Sequence, residues 1–435
     1  MSYIDDYNDN VNRKKIPYDD IPISRNVSSH SSSRRNGQKF SFSGYKILIS
    51  LVAVLFVANI VLCCTAFYFL RHGKVKHVNV YNNEITATEE SVSLHASNTA
   101  YRSSICVAAG GSCSNVETFL SNTLSRGSGV IYRVDKKTNT IYFITCYHVI
   151  DGYNKDAIYV LLPSQLVPIT VELVSYSSHY DIAVLKYKAT NADNVLDGCV
   201  PIQAYDSTYL SLGDKVFAIG NPLSSGFSIT EGIISRLNTM INVESNAFES
   251  REIQITAAIN SGNSGGGLFN AEGKFIGIVN AKLNSVDSGR TQVAGIAYAI
   301  PGTLVLGIAE SIIQNGGKAT YVNLGATLGY DEDLGITFEN VEYNGSLKPI
   351  LKYYVVVESV DGAIAYRNLH SGDMIESIEF KILVDGTETT KKVNMYNKFV
   401  FEDYSFSIVK GSEIKFYLSN NKIVTVTASA IKTID

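Results

Sequence analysis

Apolar residues along most of this chain come in short runs separated by Gly, Asn, Asp and Ser. "GVIYRV" (Gly129–Val134), "TIYFITCYHVI" (Thr140–Ile150), "IYVLLP", "DIAVLKY", "KVFAIG" and "KFIGIVNAKL" all fit this pattern. Many short strands broken by turn residues predict an all-β barrel or sandwich from about residue 101. One stretch departs from it: in "PGTLVLGIAESIIQNGG" (Pro301–Gly317), Leu304, Ile308, Ile312 and Ile313 share a helical face. Gly316 is placed to stop that helix. A second set of strands follows and ends in a hairpin, with "SEIKFYL" and "KIVTVTA" flanking "SNN".

Ile47–Leu70 is different again, 24 residues without a charge. At ~1.5 Å per helical residue it is roughly 36 Å long, enough to span a hydrocarbon core of ~30 Å. A cleaved signal peptide has an apolar core of only ~7–15 residues. The run is also preceded by a largely polar stretch of 46 residues, so the expectation is an uncleaved signal anchor. Residues 1–46 carry eight basic side chains, against three in the flank from 71 to 76, which keeps the N-terminus cytoplasmic and exports the bulk of the chain. The expected order is a disordered cytoplasmic tail (1–46), a transmembrane segment (47–70), a polar stalk (71–100), a first folded unit (101–318) and a second (319–435).

The chain has 435 residues, 45% of them hydrophobic and 18% charged, as in a globular protein of two or three domains. Beyond residue 76 there are 26 basic and 36 acidic residues, a charge near −10 that argues against a nucleic-acid partner. Cys106, Cys113, Cys146 and Cys199 would face an oxidising compartment; four thiols allow three pairings, or none. No C-x-x-C metal spacing occurs, and no metal or cofactor is implied.

Candidate chemistry centres on "NSGNSGGGLF" (Asn260–Phe269), a serine among glycines where strand is otherwise expected. Serine needs an adjacent base to act as a nucleophile, and the intermediate needs donors aimed at its oxyanion. Glycines around Ser264 would let the N–H groups of Gly262 and Ser264 converge on one point. By itself "GNSGG" also reads as a plain turn. His148 is the histidine embedded in apolar strand pattern with a turn just after it, and Asp181 opens the apolar run "DIAVLKY". A structural histidine and a solvated aspartate are the ordinary alternatives for the two, and His179 is a rival base. The chain order His, Asp, Ser within an all-β pattern is that of chymotrypsin-type barrels.

Six separated blocks resemble the HtrA (Deg) family of exported or membrane-anchored serine proteases. They are "GSGVIY" (127–132), "ITCYHVID", "YDIAVLK", "VFAIGNPLSSGFSITEGIISRLN" (216–238), "IQITAAINSGNSGGGLFNAEGKFIGIVNAK" (253–282) and "GIAYAIPGTLV". The resemblance implies a double β-barrel trypsin-like domain with Ser264 as nucleophile, His148 as general base and acid, and Asp181 orienting the ring. It places the oxyanion hole at Gly262 and Ser264, with Asn263 flanking. Gly267 stands where the family usually has Pro. "YYVVVESVDGAIAYRNLHSGDMIESIEF" (353–380) and "VKGSEIKFYLSNNKIVTVTA" resemble a PDZ domain. Its carboxylate loop would fall at Leu324, Gly325 and Ala326, capturing C-terminal peptides. Residues 331–353 have no family counterpart. The resemblance further implies unfolded or damaged envelope proteins as substrates, trimeric assembly and a role in protein quality control. A non-cleaving chaperone or scaffold, or a protease dedicated to one membrane-bound regulator, are the alternatives.

Overall fold

A computed structural model describes residues 98–434, apart from 164, 166, 191–194, 222–225, 243–248, 281–284, 287–290, 293–294, 361–368 and 385–386. The expected tail, the apolar run 47–70 and nearly all of the stalk lie outside the described residues. Among the described residues no helix is long and apolar enough to cross a membrane.

The first lobe is a seven-stranded antiparallel sheet of β1 (Ser104–Ala109), β2 (Ser125–Asp135), β3 (Thr140–Cys146), β4 (Ile158–Leu161), β5 (Ile169–Thr170), β6 (Glu172–Ser177) and β7 (Ile182–Lys188). Its order is β5-β4-β1-β2-β3-β7-β6. The outermost strands, β5 and β6, are one run interrupted only at Val171, whose N–H bonds Ile158 O at 3.0 Å. That run pairs with β4 at one end and β7 at the other, so the sheet curls round onto itself. The second lobe is a closed barrel of β8 (Lys215–Gly220), β9 (Ser228–Asn242), β10 (Glu249–Ile255), β11 (Gly267–Asn270), β12 (Phe275–Val279) and β15 (Ala297–Pro301). A short ribbon, β13 (Ser285–Val286) with β14 (Thr291–Gln292), lies between β12 and β15 in sequence. The all-β two-barrel expectation describes this architecture.

The short apolar runs form strands because both faces are covered. Ile182, Ala183, Val184 and Leu185 are all fully buried, so β7 is apolar on successive residues rather than alternate ones. The predicted helix is α1 (Gly302–Gln314). Leu304, Ile308 and Ile312 pack into the main core, while Ile313 sits at its margin. Gly316 takes φ +63° just past the end, the left-handed position that favours glycine at a helix stop.

After α1, β16 (Ala319–Val322) pairs with the final strand β25 (Ile431–Ile434). Between them a five-stranded path runs β17 (Ala326–Tyr330), β20 (Val355–Val360), β21 (Met374–Val384), β23 (Glu413–Leu418), β24 (Ile423–Thr427), with β22 (Thr387–Asn394) on β21. Helix α2 (Val400–Ser405) buries Val400, Phe401 and Tyr404 against this sheet. Residues 331–353 supply a hairpin, β18 (Ile336–Tyr343) and β19 (Ser346–Tyr353). Asn344 and Gly345 take φ +51° and +77° at its tip, as a two-residue hairpin turn demands. Its inner face stacks Tyr343 on Tyr209 at 4.1 Å and sets Lys348 Nζ 2.6 Å from Asp214.

Candidate active site

His148 sits in a single 3-10 turn, Tyr147–Val149, directly after β3. The last pair between β3 and β7 is Cys146 with Ile182, which leaves Tyr147 and Asp181 facing each other just beyond the ladder. Asp181 takes φ +55°, a left-handed conformation uncommon outside glycine. That conformation aims three acceptors at the turn. Asp181 O accepts from Tyr147 N at 3.0 Å, and Oδ1 accepts from His148 N at 2.8 Å. Oδ2 lies 2.6 Å from His148 Nδ1. An ionised carboxylate can only accept, so the ring proton belongs on Nδ1 and Nε2 keeps its lone pair. Both side chains stay about a fifth exposed, at 24% and 20%.

Ser264 lies in the loop between β10 and β11 and is buried. The loop is folded on itself by Asn263 N to Asn260 O at 3.0 Å and Gly266 N to Asn263 O at 2.9 Å. It is sewn to β12 by Gly265 N to Val279 O at 2.9 Å and Val279 N to Gly266 O at 2.8 Å. Ser128 on β2 bonds it on both sides of the serine: its N–H donates to Ser264 O at 2.8 Å and its hydroxyl to Gly262 O at 2.7 Å. Gly265 has φ +83°, and a Cβ there would stand 2.2 Å from Ser128 O and 2.3 Å from Thr145 Oγ1. No side chain fits in that space, which is why glycine follows the serine. It also sets the Ser264 loop against the end of β3, two residues before His148. No hydrogen bond joins Ser264 Oγ to the ring among the described residues.

The amides of Gly262 and Ser264 make no hydrogen bond among the described residues, and Gly262 has φ +96°. Asn263 flanks these two amides without adding to them. Its amide is committed to Asn260 O, and its Oδ1 is buried without a partner, so it is not a third donor beside them. At Gly267 a Cβ would meet the Phe269 ring at 2.5 Å, so glycine leaves room for that core aromatic. Ser128, Thr145 and Cys146 carry the loop's support, yet nothing local in the sequence marks them, because their partners lie more than a hundred residues away or across a sheet. Cys146 Sγ and donor atoms of His148 and Asp181 lie within 4.8 Å of one another, as metal ligands would. Burial holds the Cys146 thiol well above its ordinary range and Asp181 is already engaged, so the set is poorly suited to a cation. The four described cysteines are free thiols.

His179, the rival base, is remote in role. Burial pushes its ring below the ordinary range, and it lines a cavity of about 740 Å³ with Tyr180, Leu324, Leu328 and Phe401. Leu324 is buried and Ala326 opens β17, so the expected peptide loop forms one wall of this cavity. Gly325 takes φ +68°, with its N–H 3.3 Å from Asn323 Oδ1.

Residues 127–278 match the trypsin-like peptidase domain family. The matched stretch thus brackets His148, Asp181 and Ser264. The chain is 34% identical over 280 residues to the serine protease Do-like HtrA of Lactococcus lactis, covering 63% of this chain and 65% of that protein. It is 34% identical over 314 residues to the serine protease Do-like HtrB of Bacillus subtilis, with 64% of each covered. The chain therefore spans just under two thirds of the length of these relatives. A solved HtrA-type protease with a tripeptide aligns over 80% of this chain and 98% of its own, at 25% identity and a TM-score of 0.45.

Proposed function

We propose that this protein is a serine endopeptidase of the HtrA type whose trypsin-like domain cuts peptide bonds through Ser264, His148 and Asp181. The observation that carries the reading is the grip of Asp181 on both the backbone and the ring of His148, beside the sewn-down Ser264 loop. Ser264 Oγ attacks the substrate carbonyl carbon while its proton passes to His148 Nε2, and Asp181 stabilises the imidazolium. The oxyanion is received by the amides of Gly262 and Ser264. The ring returns the proton to the leaving amine as the C–N bond breaks. Water, deprotonated by the same ring, then releases the acyl group. No cofactor enters this chemistry.

Substrates are unfolded or regulatory proteins of the cell envelope. The second unit takes C-terminal peptides in the cavity beside Leu324, Gly325 and Ala326, by adding a strand to β17. Residues 47–70 anchor the chain in the cell membrane with the catalytic unit outside the cytoplasm, and the assembly is a trimer. The full chain in detergent should degrade an unfolded protein, and Ser264→Ala should be inactive at equal stability. Equal degradation by both would sink the reading. Tight binding of unfolded protein with no cleavage by either would mark a chaperone instead.

A further inference from the structure

The closed barrel holds a carboxyl that the proposed mechanism leaves unused. Glu252 on β10 is fully buried. Its Oε1 accepts from Ser250 Oγ at 2.7 Å and, at a long 3.4 Å, from Asn280 Nδ2. Its Oε2 has no partner, and neither does the buried Oδ1 of Asn280. Ile253 and Val279 face the barrel core, so Glu252 and Asn280 lie on its other face, buried against the first lobe, where polar atoms left unmatched need an explanation because each costs its desolvation.

The surroundings supply one. β10 and β12 flank β15, where Ala299 pairs with both Ile253 and Val279, so Glu252 and Asn280 stand on either side of one strand. Asn280 follows Val279, whose carbonyl accepts from Gly265 N at 2.9 Å and from Cys146 Sγ at 3.5 Å. One link away, then, are the residue after Ser264 and the residue two before His148. Groups close enough to act on Glu252 are Asp181 from the turn before β7, the Cys146 thiol on β3, Ser250 on its own strand, Asn280 and Thr239 opposite on β9, with Arg251 beside it on the other face of the strand. Burial pushes the Glu252 carboxyl up to about 8, Asp181 adding repulsion, while Ser250, Asn280 and Arg251 draw it back. At neutral pH the carboxyl therefore keeps its proton and has a donor to offer. Asn280 Oδ1 is an acceptor lacking one, and a half-turn of the Asn280 amide pairs them. The ionised carboxylate accepts only, and so holds Nδ2 instead.

We propose that Glu252 is a positioning residue of the active site: a buried carboxyl that, through Asn280, sets the strand bracing the Ser264 loop and the His148–Asp181 pair. Its loss of a proton turns the Asn280 amide and places a second negative charge behind Asp181. This rests on the peptidase reading for its effect on rate, but not for its effect on the ring. The test is therefore double, on the full chain in detergent. The first arm follows the His148 ring by NMR from pH 5.5 to 9.5. Wild type should show a second movement of the ring signals around pH 8, beyond the ring's own titration, and Glu252→Gln should show none. The second arm is the pH profile of kcat/KM on a peptide substrate. Wild type should show an added inflection in the same region. Glu252→Gln should lose it while staying within about threefold of wild type on the acid side. Identical ring titrations in the two proteins overturn the proposal, whether or not either cleaves. So does a Glu252→Gln variant that is folded but uniformly slower at every pH. Should that variant not fold, a wild-type ring curve with a single step overturns it equally. Ring titration as expected without cleavage keeps the positioning role and removes only the peptidase reading.

Discussion

Asp181 is the residue in which local cost and proposed function meet. A left-handed aspartate costs on the order of 1 kcal/mol or more, and is kept where surrounding structure over-determines it. Here three hydrogen bonds to Tyr147 and His148 do so. Glu252 is the second costly residue, and its effect on stability has a definite sign. Its folded value of about 8 lies above the ordinary 4.5, so between those values the unfolded chain has released a proton that the folded one retains. Stability from this group accordingly falls as pH rises from about 4.5 to 8 and then levels off. We predict that wild type loses stability more steeply than Glu252→Gln between pH 5 and 8, by up to a few kcal/mol, in denaturant titrations at a series of pH values. Parallel slopes would mean that the folded carboxyl is already ionised over this range, as it is in the unfolded chain.

At the scale of elements, the Ser264 loop owes its shape to strands that contact it from outside. β2 reaches it through Ser128, β12 through Val279, and the end of β3 fills the space beside Gly265. Ser128 also receives Asn221 N on its hydroxyl at 2.9 Å, so one side chain satisfies groups on two segments. Ser128→Ala leaves Gly262 O and Asn221 N unpaired in a buried place. The expected cost is about 1–3 kcal/mol of stability, with a fall in kcat larger than any rise in KM, because Gly262 is a proposed oxyanion donor. Unfolding curves and steady-state kinetics on the same preparation check both halves. An unchanged kcat would detach the Gly262 carbonyl from catalysis. The β18–β19 hairpin shows the other way a sequence specifies an element. Its Asn344–Gly345 turn and strict eight-residue register come from local residues alone.

Across the whole described unit, short helix α2 joins the second sheet to both lobes of the two-barrel unit. Asp403 pairs with the buried Arg251, Glu402 accepts from Tyr180 OH at 2.9 Å, and Tyr404 donates to Asp206. Lys391 Nζ adds a contact to Asp206 at 2.8 Å. Two of these partners, Tyr180 and Arg251, immediately precede Asp181 and Glu252. A surface ion pair contributes little, but removing one member of a buried pair strands the other charge. Arg251→Ala should therefore cost about 3–5 kcal/mol, read as a lowered denaturant midpoint. A loss below about 1 kcal/mol would show that the contact is not holding the units together.

Much of this was legible along the chain. The strand runs, the helix after Pro301 and the order of His148, Asp181 and Ser264 depend on periodicity and on residue types that have few other uses in such settings. Glycines at 262 and 265 signal tight backbone before any partner is known, because only a missing Cβ permits positive φ and such close approach. Which amide of that loop is committed, as that of Asn263 is to Asn260 O, was not legible, because a backbone amide's partner depends on how the loop folds. Ser128, Cys146, Glu252 and Arg251 were likewise silent. Each acts across strands or units through a contact that exists only when distant segments pack. Local physics, the side-chain period and the freedom of glycine, was settled by the sequence itself. Which buried carboxyl keeps its proton, which amide is left free and which charge is matched were decided by the tertiary structure, because desolvation and pairing depend on neighbours that the fold alone brings together.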